Sequence, residues 1–239
     1  MTDSNPYDQL NSPYLSELGF NLQAVLHSNC LPNDVLASLP DQFACLQSSG
    51  FSILMLGNGG NRFWQRFQES EFAHQANHPV DRYSVSVAGQ FVLQRWPQYT
   101  YHVLYPEPHP VALQRLGELA GWHHDSPIKV GINSVWGTWF AYRAVLLIEA
   151  NLQATLPVQT DSPCTSCQQK PCLNQCPSNA LGFPQEFLER CLPYRLQPNS
   201  ACQSTCLARE ACPVQAQHRY SRPQIEYHYL DSLQTIKSL

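Results

Sequence analysis

Eight cysteines lie between residues 164 and 212, and they constrain the fold of this chain more than any other feature. The stretch SPCTSCQQKPCLNQCPSNAL (162–181) has the spacing C-x2-C-x4-C-x3-C-P. A lone Cys191 follows, and a C-x3-C-x5-C-P motif then ends at Cys212-Pro213. Apolar residues are sparse across 160–215, so a conventional hydrophobic core is not expected to hold this segment together. Bound metal can supply the missing folding energy.

Disulfides, zinc and iron–sulfur clusters are the three ways in which these thiols could be used. The start MTDSNPYDQL has neither a basic region nor an apolar run, so we expect no signal peptide. The longest apolar stretch, 144–148, is too short to cross a bilayer. We therefore expect a cytoplasmic location, where disulfides are disfavoured. Structural zinc takes four ligands, whereas eight thiols and two Cys-Pro steps favour clusters, with two zinc ions and disulfides as the alternatives.

Bacterial ferredoxins that hold two clusters indicate which thiols belong together. In their C-x2-C-x2-C-x3-C-P motif, the cysteine before the proline binds the other cluster. The same logic gives a first ligand set of Cys164, Cys167, Cys172 and Cys212. It gives a second set that includes Cys176, Cys202 and Cys206, with Cys191 as the thiol left over. Cys30 and Cys45 are predicted to be small buried apolar residues rather than ligands.

Residues 51–150 alternate between strand-like and helix-like patterns. Apolar and aromatic runs predict strands at 51–57, 99–105, 128–132 and 138–150. Apolar residues at helical spacing predict helices over 81–96 and 110–120. Residues 1–33 are polar and are expected to wrap the surface. The pattern indicates an α+β or α/β layer fold of about 150 residues.

The cysteine-rich segment resembles the ferredoxin module of epoxyqueuosine reductases, which are cobalamin-dependent enzymes that carry two 4Fe–4S clusters. In that family an isolated cysteine in an Arg-Cys-x-x-Tyr context lies between the two cysteine motifs. This chain has RCLPY at 190–194, the corresponding place. The resemblance therefore implies that Cys191 completes the second ligand set.

Four further stretches resemble the cytosolic cobalamin-processing family, the cyanocobalamin decyanases and alkylcobalamin dealkylases. In the family's order they are NHPVDRYSVSVAGQF (77–91), YPEPHPVALQRLGELAG (105–121), VGINSVWGTWFAYRAVLLIEA (130–150) and HRYSRPQIEYHYL (218–230). That family has a flavin-reductase-like α+β fold, binds cobalamin and uses glutathione as reductant. The resemblance implies a cobalamin-processing-like α+β domain over 1–155 and an inserted, loop-rich ferredoxin-like domain with two 4Fe–4S clusters over 156–217. A closing helix over 218–239 would pack back on the first domain.

The same resemblance points to cofactor-binding residues, which are Trp139, Phe140, Arg143, Arg219 and Tyr220. Arg143 and Arg219 match arginines that hold glutathione carboxylates in the family, a role that suits the planar fork of a guanidinium. The alternative for Arg143 is a structural ion pair beneath the sheet. Trp139 and Phe140 are strand neighbours that point to opposite faces, so each could belong to the core instead of facing a corrin ring.

Two features depart from the cobalamin-processing family. Asn133-Ser134 stands where the family has a His-Pro just before its Gly-Trp-Phe strand, so the cobalamin contact made there does not carry over. The family's animal members also lack iron–sulfur clusters. A chain with its own clusters would not need glutathione as its electron source.

These observations predict an oxidoreductase that passes electrons through two 4Fe–4S clusters to cobalamin or, as the less favoured cofactor, to a flavin. The expected partners are a small-molecule cofactor and an electron donor protein such as a reductase or ferredoxin, without a membrane. One alternative is an electron-transfer module whose N-terminal domain binds a partner protein. Another is a tRNA-modifying reductase, but the net charge of -4 and the scarcity of lysine argue against nucleic acid. No position matches that family's proton-donating aspartate, so the catalytic residue stays unassigned.

Overall fold

The computed structural model describes residues 5–238, which divide into two compact units. Unit 1 consists of the residues up to His123 together with Phe140–Thr160. Unit 2 consists of His124–Trp139 together with the residues from Asp161 onward. Unit 1 combines a small antiparallel sheet with helices, so the predicted α+β class is confirmed. Among the described residues, no helix is both long enough and apolar enough to span a membrane.

A four-stranded antiparallel sheet with the order β1-β2-β4-β3 forms the centre of unit 1. The strands are β1 (Leu22–His27), β2 (Ser52–Gly59), β3 (Tyr101–Tyr105) and β4 (Phe140–Ile148). The central strands β2 and β4 carry the long apolar runs, and Leu54 is paired with Leu146 across them. Every residue of β2 is buried, so both faces of this strand are covered.

Helices cover the sheet of unit 1, and α5 is the longest of those described there. They are α1 (Pro13–Glu17), α2 (Asn33–Leu36), α3 (Leu46–Ser49), α4 (Arg62–Glu69), α5 (Pro79–Arg95) and α6 (Leu113–Leu119). Pro79 begins α5, where its missing N–H removes no helical hydrogen bond. Tyr83 buries its ring 5.5 Å from that of Phe63, so the apolar stripe of α5 helps to build the core.

Most elements predicted for residues 51–150 are present, with ends shifted by a few residues. The predicted strands at 51–57, 99–105 and 138–150 correspond to β2, β3 and β4. The predicted helices at 81–96 and 110–120 correspond to α5 and α6. Asp81 lies in the first turn of α5, and the residue that caps this helix is His78.

Two predictions about strands are wrong. Residues 128–132 form no strand, because Lys129 has a φ of 61°, in the left-handed region that extended chain does not use. Residues 22–27 do not wrap the surface but form β1, of which five consecutive residues are buried. Gln23 obscured this strand in the sequence. Its buried amide nitrogen donates a hydrogen bond to the Phe20 carbonyl at 2.8 Å, which satisfies the donor of this side chain inside the core.

Unit 2 is built from short helices and loops around two small apolar groups. Its α-helices are α7 (Pro163–Ser166), α8 (Pro171–Asn174), α9 (Phe187–Leu196), α10 (Leu207–Glu210) and α11 (Arg222–Lys237). One apolar group contains Ile128, Leu181 and Ala208, with Cys172 and Cys206 packed against it. The other contains Trp139, Tyr220 and Ile225. Cysteines therefore occupy places that aliphatic side chains fill in an ordinary core.

The division of the chain differs from the predicted boundaries in two places. Residues 124–139 were expected in the first domain but belong to unit 2, where Ile128 joins its apolar core. The closing helix, α11, was expected to pack on the first domain but also belongs to unit 2. The Arg195 guanidinium of α9 donates to the Tyr229 carbonyl of α11 at 2.9 Å, which ties the two helices together.

Candidate metal centre

Four thiols of unit 2 form the first group of the candidate site, and they are Cys164, Cys167, Cys172 and Cys212. Burial raises the pKa of Cys164, and the charges of Cys212, Cys172 and Cys167 raise it further. Burial likewise raises the pKa of Cys172, again with added repulsion from Cys212 and Cys167. The pKa of Cys212 is raised by burial and by Cys167. The charge of Cys167 thus acts on the other three thiols of this group.

The second group contains Cys176, Cys191, Cys202 and Cys206. Burial, followed by repulsion from Cys206, raises the pKa of Cys191 to about 11. Burial also raises the pKa values of Cys202 and Cys206, and each of these thiols feels the charge of Cys176. All four side chains line one cavity of about 220 Å³, together with apolar residues such as Ile128, Leu181 and Phe187.

The two groups have the same members as the two ligand sets expected from the sequence, to which the family resemblance contributed Cys191. All ten cysteines of the chain are free thiols in the structure. Four converging thiols repel one another once they ionise, so a positively charged centre must be present for all four to be thiolates together. The arrangement therefore suits a thiolate-bound metal, and the geometry offers two places for one.

Each Cys-Pro step is followed, two residues after the proline, by a residue with a left-handed backbone conformation. Asn179 (φ 52°) follows Cys176-Pro177, and Gln215 (φ 52°) follows Cys212-Pro213. Residues other than glycine adopt this conformation at a cost of roughly 1–2 kcal/mol each, so the surrounding structure must enforce it. Burial alone would raise the pKa of Cys176, but hydrogen bonds from Ser178 and from the N–H groups of Leu181, Ala180 and Ser178 bring it below its ordinary value.

The residues predicted to bind an organic cofactor are divided between the two units. Phe140 and Arg143 lie on β4 in unit 1, and Trp139, Arg219 and Tyr220 lie in unit 2. Arg143 is only 9% exposed. Its Nε donates to Asn58 Oδ1 at 2.6 Å, and its guanidinium lies 4.4 Å from the Phe63 ring centroid. These contacts favour the structural alternative for Arg143. The acceptor of its Nε is the Asn58 amide oxygen and not the carboxylate that the expected ion pair would require.

In unit 2 the structure brings the other three predicted residues together. The rings of Trp139 and Tyr220 are buried and meet edge to face, with 5.4 Å between their centroids. The exposed Arg219 lies over Trp139 at 5.8 Å and donates to the Glu210 carbonyl at 2.5 Å. Trp139 and Tyr220 therefore act as core residues of this unit.

A groove of about 800 Å³ lies in unit 1 between the start of α5 and the segment after β3. It is lined by Phe72, Asn77, His78, Asp81, Arg82, Val85, Ser86, Pro106, Glu107 and Pro108. Its size falls within the range of about 300–1,000 Å³ that is usual for small-molecule sites. Most of these residues belong to 77–91 and 105–121, two of the stretches that resemble the cobalamin-processing family.

The exposure of two cysteines and the position of one arginine differ from what the sequence predicted. Cys30 and Cys45 are exposed, so the prediction that they are buried is wrong. Cys30 ends the short 3-10 helix Ser28–Cys30, and Cys45 directly precedes α3. Arg195 was not predicted at all, yet its side chain lines the cavity of the second group. Its position four residues after Cys191 on α9 was the available signal, because residues four apart share a helix face.

Comparisons with known proteins identify the fold. No protein-family model matches the sequence, and no curated protein matches it either. A crystal structure of epoxyqueuosine reductase with an epoxyqueuosine-modified tRNA-Tyr stem loop superimposes with a TM-score of 0.56 at 15% identity, covering 89% of this chain. The epoxyqueuosine reductase of Bacillus subtilis gives 0.51 at 16% identity and covers 94%. CblC of C. elegans, a B12-trafficking protein homologous to human MMACHC, gives 0.51 at 15% identity and covers 97%.

The chain shares its fold with both kinds of protein. The suspected resemblance to these two families is therefore confirmed at the level of the fold. The chain spans 66% and 62% of the lengths of the two reductases, and 92% of the length of CblC. One of these reductase structures contains a tRNA stem loop, so the expectation that nucleic acid is not a partner gains no support from it.

Proposed function

We propose that this protein is an iron–sulfur oxidoreductase in which unit 2 is a ferredoxin-like module with two 4Fe–4S clusters. One observation carries the proposal: the eight clustered thiols separate into two groups of four by their mutual electrostatic interactions, and the four thiols of the second group line one cavity. Cys164, Cys167, Cys172 and Cys212 would hold one cluster. Cys176, Cys191, Cys202 and Cys206 would hold the other. When bound, such clusters supply single electrons at potentials that range from about −700 to +450 mV.

The environment of the thiols supports clusters over the alternatives. Each thiol is free, so a disulfide framework has no support from this structure. The cavity of the second group is lined mainly by apolar side chains, which limits water and favours a thiolate-bound cluster over a hydrated ion. N–H groups that point at the sulfurs, such as that of Leu207 at Cys202, are donors of the kind that tune cluster potentials.

Unit 1 is the part of the chain that we propose binds a corrinoid, in a flavin-reductase-like fold. Two findings support this: the groove of about 800 Å³, and the fold shared with a B12-trafficking protein. An electron donor protein such as a reductase or ferredoxin would supply the electrons. For a cyanocorrinoid substrate, one electron would lower the cobalt by one oxidation state, and cyanide would leave with its bonding pair. Flavin remains the less favoured acceptor.

A second candidate function is reduction of a modified nucleoside in tRNA. The fold match to an epoxyqueuosine reductase that was solved with a tRNA stem loop is the observation that favours it. A tRNA stem-loop gel shift distinguishes the two functions. Tight binding that weakens steeply as salt increases would support the tRNA substrate, because phosphate contacts release counterions.

The test begins with anaerobic purification, followed by iron, sulfide, zinc and cobalt analysis and an absorbance spectrum. We expect about eight iron atoms per chain, four for each cluster. Cys206→Ser should lower the iron content to about four, because it removes a ligand of one cluster only. Cys45→Ser is the matched control, since Cys45 is exposed and outside both groups. Zinc without iron would refute the clusters, and no spectral change with cyanocobalamin or methylcobalamin would refute the corrinoid.

A further inference from the structure

Arg195 places a positive charge in the wall of the cavity that the second group of thiols lines. It lies one helical turn after Cys191 on α9, and its side chain lines the cavity beside all four thiols of the second group. The residue is only 9% exposed. A guanidinium is always charged at physiological pH, so a full positive charge is buried at this point.

Every acceptor that the described residues offer this guanidinium is neutral. Nε donates to the Cys202 carbonyl at 3.2 Å, and Nη2 donates to the Tyr229 carbonyl at 2.9 Å. Nη1 donates to the Ser232 hydroxyl at 3.2 Å. The ring of Tyr229 lies 5.4 Å from the guanidinium carbon. These bonds give each guanidinium nitrogen an acceptor and hold the side chain in place, but none of them cancels its charge.

A buried charge without a counter-charge costs several kcal/mol, so chains rarely retain one unless an opposite charge is close. The negative groups that Arg195 faces are the thiolates of the second group. Its charge counters the rise in the pKa values of Cys191 and Cys202 that burial and neighbouring thiols cause. The occupant of this cavity is therefore expected to be an anion.

We propose that Arg195 is the counter-charge of the cluster held by the second group and raises the midpoint potential of that cluster. This inference rests on the proposed function. Reduction adds one negative charge to a thiolate-ligated cluster, and a fixed cation nearby stabilises the reduced form more than the oxidised form. Arg195 acts through the field around the cluster, so it is a positioning residue and not a ligand.

Among residues 5–238, the first group has no equivalent buried cation of its own. The cations that act on its thiols include Lys170 at Cys164 and Arg219 at Cys212, and both side chains are exposed. Solvent screens exposed charges far more than buried ones. The half-buried Arg209 acts on Cys206 and on Cys212, so it does not distinguish the groups. Arg195 is thus the buried cation that distinguishes the electrostatic surroundings of the second group from those of the first.

An anaerobic redox titration followed by EPR on the full-length holoprotein tests this inference. In Arg195→Gln we expect one of the two midpoints to fall by at least about 59 mV. For a one-electron step, a shift of that size, about 59 mV, changes the equilibrium constant for electron exchange between the clusters tenfold. The affected step should be the one that Cys206→Ser eliminates. Arg195→Lys keeps the charge and should stay closer to wild type.

Ser232→Asp provides a second variant that leaves Arg195 in place. Its carboxylate would lie beside Nη1, neutralise the guanidinium and lower the same midpoint. Arg222→Gln is the matched control, because that arginine lies on α11 with its side chain 53% exposed and paired with Glu226. It should leave both midpoints unchanged.

Each outcome bears on the inference and separates it from the proposed function. A lower midpoint in Arg195→Gln and Ser232→Asp supports it, as does selective loss of the second cluster in Arg195→Gln that Arg195→Lys restores. Unchanged midpoints in both neutralising variants, with two clusters present, overturn the role of Arg195 and leave the proposed function intact. A wild-type protein without iron overturns both.

Discussion

Replacing Gly137 with alanine should empty the first cluster site while sparing the second. Gly137 has a φ of 57°, which costs an alanine roughly 1–2 kcal/mol. The new Cβ would also lie 2.2 Å from the Val214 carbonyl oxygen, whereas ordinary contacts begin at 3.4 Å. The Val214 carbonyl would have to retreat by 1.2 Å, the difference between these two distances.

That displacement matters because Val214 is two residues beyond Cys212 and its N–H donates to the Cys212 sulfur. A metal site tolerates errors of only about 0.2 Å in ligand distance. We therefore expect Gly137→Ala to hold about four iron atoms after anaerobic reconstitution where wild type holds about eight. The EPR signal that remains should be the one that Cys206→Ser removes.

Gly182→Ala is the matched control in the same unit. Its Cβ would meet only the Asn179 side chain, at 3.0 Å for the nearest atom, and that exposed side chain can rotate away. This variant should keep the full iron content. A Gly137→Ala protein with about eight irons and two unchanged signals would show that the close approach to Val214 does not position Cys212.

Two further predictions concern stability. The raised pKa of Cys191, about 11 against an ordinary 9.0, means that the folded metal-free chain keeps a proton that the unfolded chain loses as pH rises. The free energy of unfolding, measured with urea, should therefore be unchanged below about pH 9 and fall by about 1–2 kcal/mol towards pH 11. Cys191→Ser should show a smaller fall, and a rise with pH would contradict this reasoning. Arg143→Met should destabilise the protein by about 1–3 kcal/mol without altering iron content, because it leaves the buried Asn58 amide oxygen without its partner. The exposed Arg95→Met should cost less than about 0.5 kcal/mol in the same assay, and equal losses would argue against the Asn58 contact.

Local patterns explain which parts of the fold could be predicted. The apolar runs of β2 and β4 and the four-residue spacing of Tyr83, Val87 and Phe91 in α5 are visible in a short window of sequence. The strand β1 was not, because the buried Gln23 interrupts its apolar run and its burial depends on pairing with β2. The false strand at 128–132 failed for the opposite reason. Its apolar pattern is real, but those residues pack against the cysteine segment instead of joining the sheet.

The spacing of the thiols and the two Cys-Pro steps predicted the members of two ligand sets except Cys191, which the family resemblance added, and the two sets stay a prediction. Tertiary structure decided the rest. It alone showed that 124–139 and the closing helix belong with the cysteines, since such contacts join residues far apart in the chain. It alone buried Arg195 among neutral acceptors, because the surroundings of a charge depend on the packing of α9 against α11 and not on its neighbours in sequence.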